Sequence, residues 1–153
     1  MKNYDNYIED EEYVAQMDIF FDKNNVEKEK IINTIVQFFK KKNLETDTPD
    51  IDSEGAALNV TMPVRIGYDY TIVKDSIMEP DTSTSYGYYE KPIDVAEITD
   101  STAEYEWGNE NDLNELAEKL KEIGLNEVEV QVDSVHASYF EDRIEADIYN
   151  SWY

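Results

Sequence analysis

The stretch Leu58-Asn59-Val60-Thr61-Met62-Pro63-Val64-Arg65-Ile66-Gly67-Tyr68-Asp69-Tyr70-Thr71-Ile72 alternates apolar with other residues without a break. A period of two puts Leu58, Val60, Met62, Val64, Ile66, Tyr68, Tyr70 and Ile72 on one side of an extended chain. The pattern predicts a long antiparallel strand near 57–73 with one face buried, because strands covered on both faces read as continuous apolar runs instead. Pro63 and Gly67 fit such a strand at a sheet edge or at a bend.

Upstream, residues 1–12 hold Asp5, Glu9, Asp10, Glu11 and Glu12 and read as a flexible acidic arm. The expected folded domain is then 13–153. Its first strand is marked by Tyr13, Ala15, Met17, Ile19 and Phe21, again at a spacing of two. Asn24 and Glu27 have the spacing of a helix-capping pair, and Ile31, Ile32, Ile35, Phe38 and Phe39 form an apolar helical stripe, so a helix is expected over 26–42. Lys40, Lys41 and Lys42 stand where the helix dipole favours cations, and Asn43 suits the left-handed terminating position.

Downstream of the long strand, residues 74–92 read as a connection. Ile93, Val95, Ile98, Ala103, Tyr105 and Trp107 mark a return strand whose alternation shifts near Glu97, as at a bulge. A second helix over 110–123 has Asn109 or Asn111 as its cap, a face of Leu113, Leu116, Ala117, Leu120 and Ile123, and Gly124 as its stop. Val128, Val130 and Val132 begin another strand, and Glu141-Asp142 reads as a turn into a last one bearing Ile144, Ala146 and Ile148. The expected fold is therefore α+β, an antiparallel sheet with two helices in the order β-α-β-β-α-β-β. That order contains the βαββαβ unit of ferredoxin-like folds with one strand added.

Composition limits what the domain does. Of the 153 residues, 41% are apolar and 12% aromatic, enough to build a core and unlike a disordered acidic tail. Asp and Glu total 36 against 13 Lys and Arg, a net charge of −23, which repels nucleic acid and anionic lipid and favours a basic protein surface. The chain has no cysteine, its N-terminus lacks an apolar run, and no stretch has the length of a membrane span, so a cytoplasmic protein is expected.

Catalytic signatures are scarce, and neither an enzyme nor a cofactor is expected. His136 is the single histidine, out of phase with Val135, Ala137 and Tyr139, and reads as a surface residue without a nucleophilic partner. Asp50-Ile51-Asp52-Ser53-Glu54-Gly55 resembles the opening of a calcium-binding EF-hand loop, but the twelfth position, which needs a bidentate Glu, is Thr61, and a strand follows. No metal site is expected there.

What stands above background is the distribution of acids. Beyond Lys42, 27 carboxylates face only Arg65, Lys74, Lys91, Lys119, Lys121 and Arg143. Many of them, including Glu97, Asp100, Glu104, Glu106, Asp112 and Glu115, fall on predicted strands or helices, where the backbone fixes their spacing in a rigid array that can imitate a row of phosphates. In size, charge and this placement of acids the chain resembles the DNA-mimic inhibitors of the anti-restriction and anti-CRISPR type. The resemblance implies stoichiometric binding to a nucleic-acid-binding nuclease or defence complex. From their own place on the predicted return strand, Glu97, Asp100, Glu104 and Glu106 are expected at the contact. Tyr86, Tyr88 and Tyr89 form a second candidate contact, because tyrosine among Ser, Thr and Gly gives large contact area at small entropic cost. That loop points to the alternative function, a phage or bacterial structural or adaptor protein.

Overall fold

The computed structural model describes residues 3–22, 25–80 and 87–152. The chain runs β1 (Asn6–Phe20), α1 (Lys28–Lys41), β2 (Glu45–Thr46), β3 (Asp50–Ile51), β4 (Gly55–Pro80), β5 (Tyr88–Tyr105), α2 (Glu110–Glu122), β6 (Glu129–Val132), a 3-10 turn (Ala137–Phe140) and α3 (Glu141–Asn150). The class is α+β with a mostly antiparallel sheet. β4 lies between β1 and β2, β1 lies between β4 and β6, and β3 and β5 also pair with β4. β1 meets β6 with Met17 opposite Val132 and Phe20 opposite Glu129.

This neighbour order differs from the ferredoxin-like one. There the first strand lies beside the third of the βαββαβ unit, whereas here β1 lies beside the second, β4. Phe21 N donates to Glu54 O at 3.1 Å and Arg65 Nε pairs with Glu9 at 3.0 Å, so β1 and β4 run antiparallel as neighbours. The described residues form two compact units. The larger comprises Glu9–Ile66 and Ala103–His136; the smaller comprises the described residues of 3–8, 67–102 and 137–152.

The core of the larger unit follows from the alternation. Ala15, Met17 and Ile19 of β1 and Ala56, Leu58, Val60 and Met62 of β4 turn to one face. Ile31, Ile35, Phe38 and Phe39 of α1 and Leu116 and Leu120 of α2 close over it. Trp107, just beyond β5, packs edge-on against Phe39 at 5.2 Å and Phe38 at 6.1 Å. Its indole N–H is buried without a hydrogen-bond partner, which puts its value to the fold in the ring contacts. On the reverse of the sheet Val14 and Phe20 are exposed, so only one face is covered.

Helix ends form where the residue chemistry places them. Asn109 caps α2 with a full capping box: its side chain accepts from Asp112 N at 2.9 Å, and the Asp112 carboxylate accepts from Asn109 N at 3.2 Å. Gly124 follows α2 at φ 111° and Asn43 follows α1 at φ 59°, both in the left-handed region. α1 starts at Lys28 with Glu27 as a cap that makes no side-chain bond; the expected cap Asn24 lies outside the described residues.

In the smaller unit, α3 replaces the expected last strand. Ile144 and Ile148 are both buried while Ala146 is exposed, which is a helical spacing of four rather than a strand's two. Phe140, also buried, extends that row backward, and Glu141-Asp142 forms the first helical turn instead of a hairpin. Tyr68 Oη donates to the Asp147 carboxylate, and Tyr149 Oη accepts from Ala96 N at 3.1 Å, tying α3 to β4 and β5. Gly67 is required by close approach: a Cβ there would lie 2.6 Å from the Tyr4 ring and 3.0 Å from that of Tyr7.

Two expected loops are strands. Residues 6–12, expected as part of an arm, belong to β1, because β4 is long enough to pair with them and Ile8 is buried. The expected connection 74–92 instead extends β4 to Pro80 and starts β5 at Tyr88, forming a two-stranded ribbon. Val135, Ala137 and Tyr139, although spaced by two, fall beyond the end of β6 and into the 3-10 turn.

Asn109→Ala removes one half of the capping box and leaves an orphan N–H. It is expected to lower stability by about 1 kcal/mol, read as a lower urea midpoint at unchanged slope.

Candidate functional site

No charged or polar side chain is buried among the described residues, so the carboxylates lie at or near water. In the larger unit one group of them is held by three elements. α2 carries Glu110, Asp112, Glu115, Glu118 and Glu122; the end of β5 carries Glu104 with Glu106 just beyond it; β6 carries Glu129, with Asp133 following. Several are partly neutralised: Glu115 by Lys42 at 3.2 Å, Glu118 by Lys121 at 3.4 Å and Glu122 by Lys119 at 3.9 Å. Glu104, Glu106 and Glu110 have no cation within ion-pair distance among the described residues.

Two shallow clefts border these acids. One, of about 390 Å³, is lined by Glu104, Tyr105, Gly108, Asn109, Asp133 and neighbouring residues, and is braced by Tyr105 Oη donating to Asp133 O at 2.8 Å. The other, of about 400 Å³, lies between α2 and β6 with Glu110 and Glu129 on opposite walls. Both pair carboxylates with apolar walls, a lining suited to a cationic side chain with an aliphatic stem.

The expected Glu104 and Glu106 pair is only partly a strand feature. β5 ends at Tyr105 and Glu106 lies in a bend, although its N–H still donates to Pro63 O at 3.0 Å. Glu97 and Asp100 also lie on β5 but belong to the smaller unit. Glu97 is exposed, while Asp100 is half-buried and already engaged. Of the expected aromatic contact, Tyr88 is 70% exposed and Tyr89 46%; Tyr86 lies outside the described residues. Tyr89 Oη donates to Glu79 at 2.8 Å and Lys91 reaches the same carboxylate at 3.3 Å. Those bonds, Tyr89 first and Lys91 second, hold the Glu79 carboxyl below the usual range, and the same contact raises the Tyr89 phenol.

The Asp50–Gly55 segment serves a turn. Asp52 Oδ1 accepts from Glu54 N at 2.8 Å and Gly55 N at 2.9 Å, joining β3 to β4. Asp18, Asp50, Asp52 and Glu54 border a smaller hollow of about 140 Å³, and no cluster of three or more potential ligands able to hold a metal is present among the described residues. His136 is exposed at the end of the larger unit.

Sequence reasoning missed two features. The exposed Ile72, Ile77 and Met78 of the ribbon were read as strand end and connection, although an adjacent Ile-Met pair in a polar stretch was the available signal. The Tyr68 to Asp147 bond joins residues 79 apart and left no local trace.

No known family, curated protein or solved structure matches this chain.

Burial first, and the Asp147 hydrogen bond second, push the Tyr68 phenol well above its ordinary value. A group raised in the folded state stabilises fully below its unfolded pKa, here ~10, and the contribution is lost as pH rises above it. Wild type should therefore lose stability above about pH 10 more steeply than Tyr68→Phe, measured by urea unfolding across alkaline pH. Parallel curves would remove Tyr68 as the titrating group.

Proposed function

We propose that the protein is a stoichiometric inhibitor working in a host cytoplasm, and that it binds the basic nucleic-acid groove of a defence nuclease through carboxylates held on regular structure. The observation that carries this reading is the set Glu104, Glu106 and Glu110: three acids at the end of β5 and the start of α2 with no neutralising cation among the described residues, in a chain of net charge −23. A surface that leaves its acids unpaired raises the local potential and attracts a cationic groove at long range. The two clefts beside these acids offer Lys or Arg side chains a place for their stems as well as their charge. No helix among the described residues is long and apolar enough to cross a membrane.

A second reading is supported by the ribbon. Tyr88 and Tyr89 stand exposed beside Met78 and Ile77, and an adaptor that binds a protein by aromatic and apolar contact would use such a surface. Salt separates the two, because charge attraction weakens with ionic strength and apolar contact does not.

The test is DNA cleavage by a panel of purified restriction and RNA-guided nucleases with one equivalent of the protein. Inhibition of at least one enzyme is expected, fading between about 50 and 500 mM salt. The combined change Glu104→Lys, Glu106→Lys and Glu110→Lys should weaken inhibition by about tenfold or more, since each exposed contact contributes only a fraction of a kcal/mol. Uninhibited cleavage across the panel, or equal inhibition by the folded triple variant, overturns the reading.

A further inference from the structure

Eight large apolar side chains are exposed among the described residues, and five of them, Ile72, Ile77, Met78, Tyr88 and Tyr89, lie on the ribbon of β4 and β5. Cross-strand contacts define its two faces. Lys74 pairs with Asp94, and Ser76 Oγ donates to Glu90 at 2.6 Å, so these four share one face. Glu79 meets Tyr89 and Lys91 on the other. Alternation assigns Ile72, Met78 and Tyr88 to the first face. They are 57%, 62% and 70% exposed, and no other large apolar side chain on the ribbon is exposed as much.

α3 covers this same side of β4 farther back, where Tyr68 meets Asp147. From Ile72 onward no described element lies over it, as the run of exposed residues from Lys74 to Met78 and from Tyr88 to Pro92 records. A two-stranded ribbon without a packed face is marginal in water, and no described residue supplies the covering layer that would stabilise this one.

The charges on the face select the occupant. It carries Lys74 against Glu90 and Asp94, both signs together, within a chain whose acids outnumber its bases 36 to 13. A contact made across a two-fold axis sets a patch against its own copy, so a patch of one sign repels itself and a patch of both signs does not. A strongly basic partner would meet Lys74 here, and the two acids beside it are already engaged, Asp94 by Lys74 and Glu90 by Ser76. We propose that the Ile72, Met78 and Tyr88 face of the ribbon packs on the same face of a second copy of this chain, with Lys74 of each copy within reach of the acids of the other.

The nine residues from Ile72 to Pro80, at ~3.3 Å each, and two strands ~4.8 Å apart give a face about 30 Å by 10 Å. Two such faces bury about 600 Å² together, below the size of a standard specific interface, which sets a weak, reversible dimer. Two bodies of charge −23 repel, so salt that screens them strengthens the contact. This is the reverse of the salt dependence of a phosphate mimic. The proposal shares the ribbon with the adaptor reading but supplies a different partner.

Sedimentation velocity on the full chain at about 200 µM, in about 50 and 500 mM sodium chloride, is the test. Wild type should show a dimer whose fraction rises at least about twofold at the higher salt. Met78→Glu and Tyr88→Glu should each be monomeric at both salts with an unchanged circular dichroism spectrum, while Ile77→Glu on the opposite face should dimerise as wild type does. A wild type monomeric at both salts overturns self-pairing and leaves the adaptor reading standing. A dimer that survives Met78→Glu and Tyr88→Glu, or one that weakens as salt rises, overturns the assignment of this face.

Discussion

Val60, Met62, Val64 and Ile66 are wholly removed from water, and they are four consecutive inward positions of one strand. Burying each such side chain contributes about 1.5–3 kcal/mol, so this row is a large share of what holds the chain against its entropy. β1 aligns with the row as a neighbour strand, β2, β3 and β5 pair with the strand that carries it, and α1 and α2 close over its first half together with β1. The alternation of β4 is therefore a constraint on the other elements as well as on itself. A register slip of one residue would turn the whole row outward and leave the helices without a surface to fold on.

The opposite constraint comes from charge. The ion pairs described, from Lys42 with Glu115 to Lys119 with Glu122, are all at least partly exposed, and pairs of that kind contribute little each. Stability thus comes from the apolar interior, and the acids are carried at a net electrostatic cost. A fold that tolerates this load is free to display carboxylates wherever a strand or helix ends. The backbone then sets their positions, so less conformational entropy remains to be lost when they meet a cation.

Much of this architecture was legible where one period dominated. β4, α1 and α2 were each visible because more than four inward residues repeat at a single spacing, and the Asn109 and Gly124 signals bound α2 on both sides. Legibility failed where the pattern was short or the partner distant. Ile144, Ala146 and Ile148 fit a spacing of two, yet their ends fit a spacing of four equally well, and only the burial of Phe140 with Ile144 and Ile148 decides for the helix. Residues 6–12 look like a tail because Glu9 to Glu12 obscure the pattern; pairing with β4 is a long-range fact that no local window contains. The acids of the candidate site were identifiable as residues, but their division between two compact units follows from the chain's contacts alone.

The two tryptophans of the chain have been divided in the same way. Trp107 lies in the larger unit against Phe38 and Phe39, and Trp152 lies in the smaller one, edge-on to Tyr149 at 4.8 Å. Each unit therefore holds one tryptophan with its own aromatic neighbours, and excitation at the red edge of the aromatic band selects the indoles over the tyrosines. Replacing either indole by phenylalanine leaves an emission that reports on one unit alone, with no added label. Whether the two halves melt as a single cooperative body or in succession is thereby written into the protein's own ultraviolet spectrum.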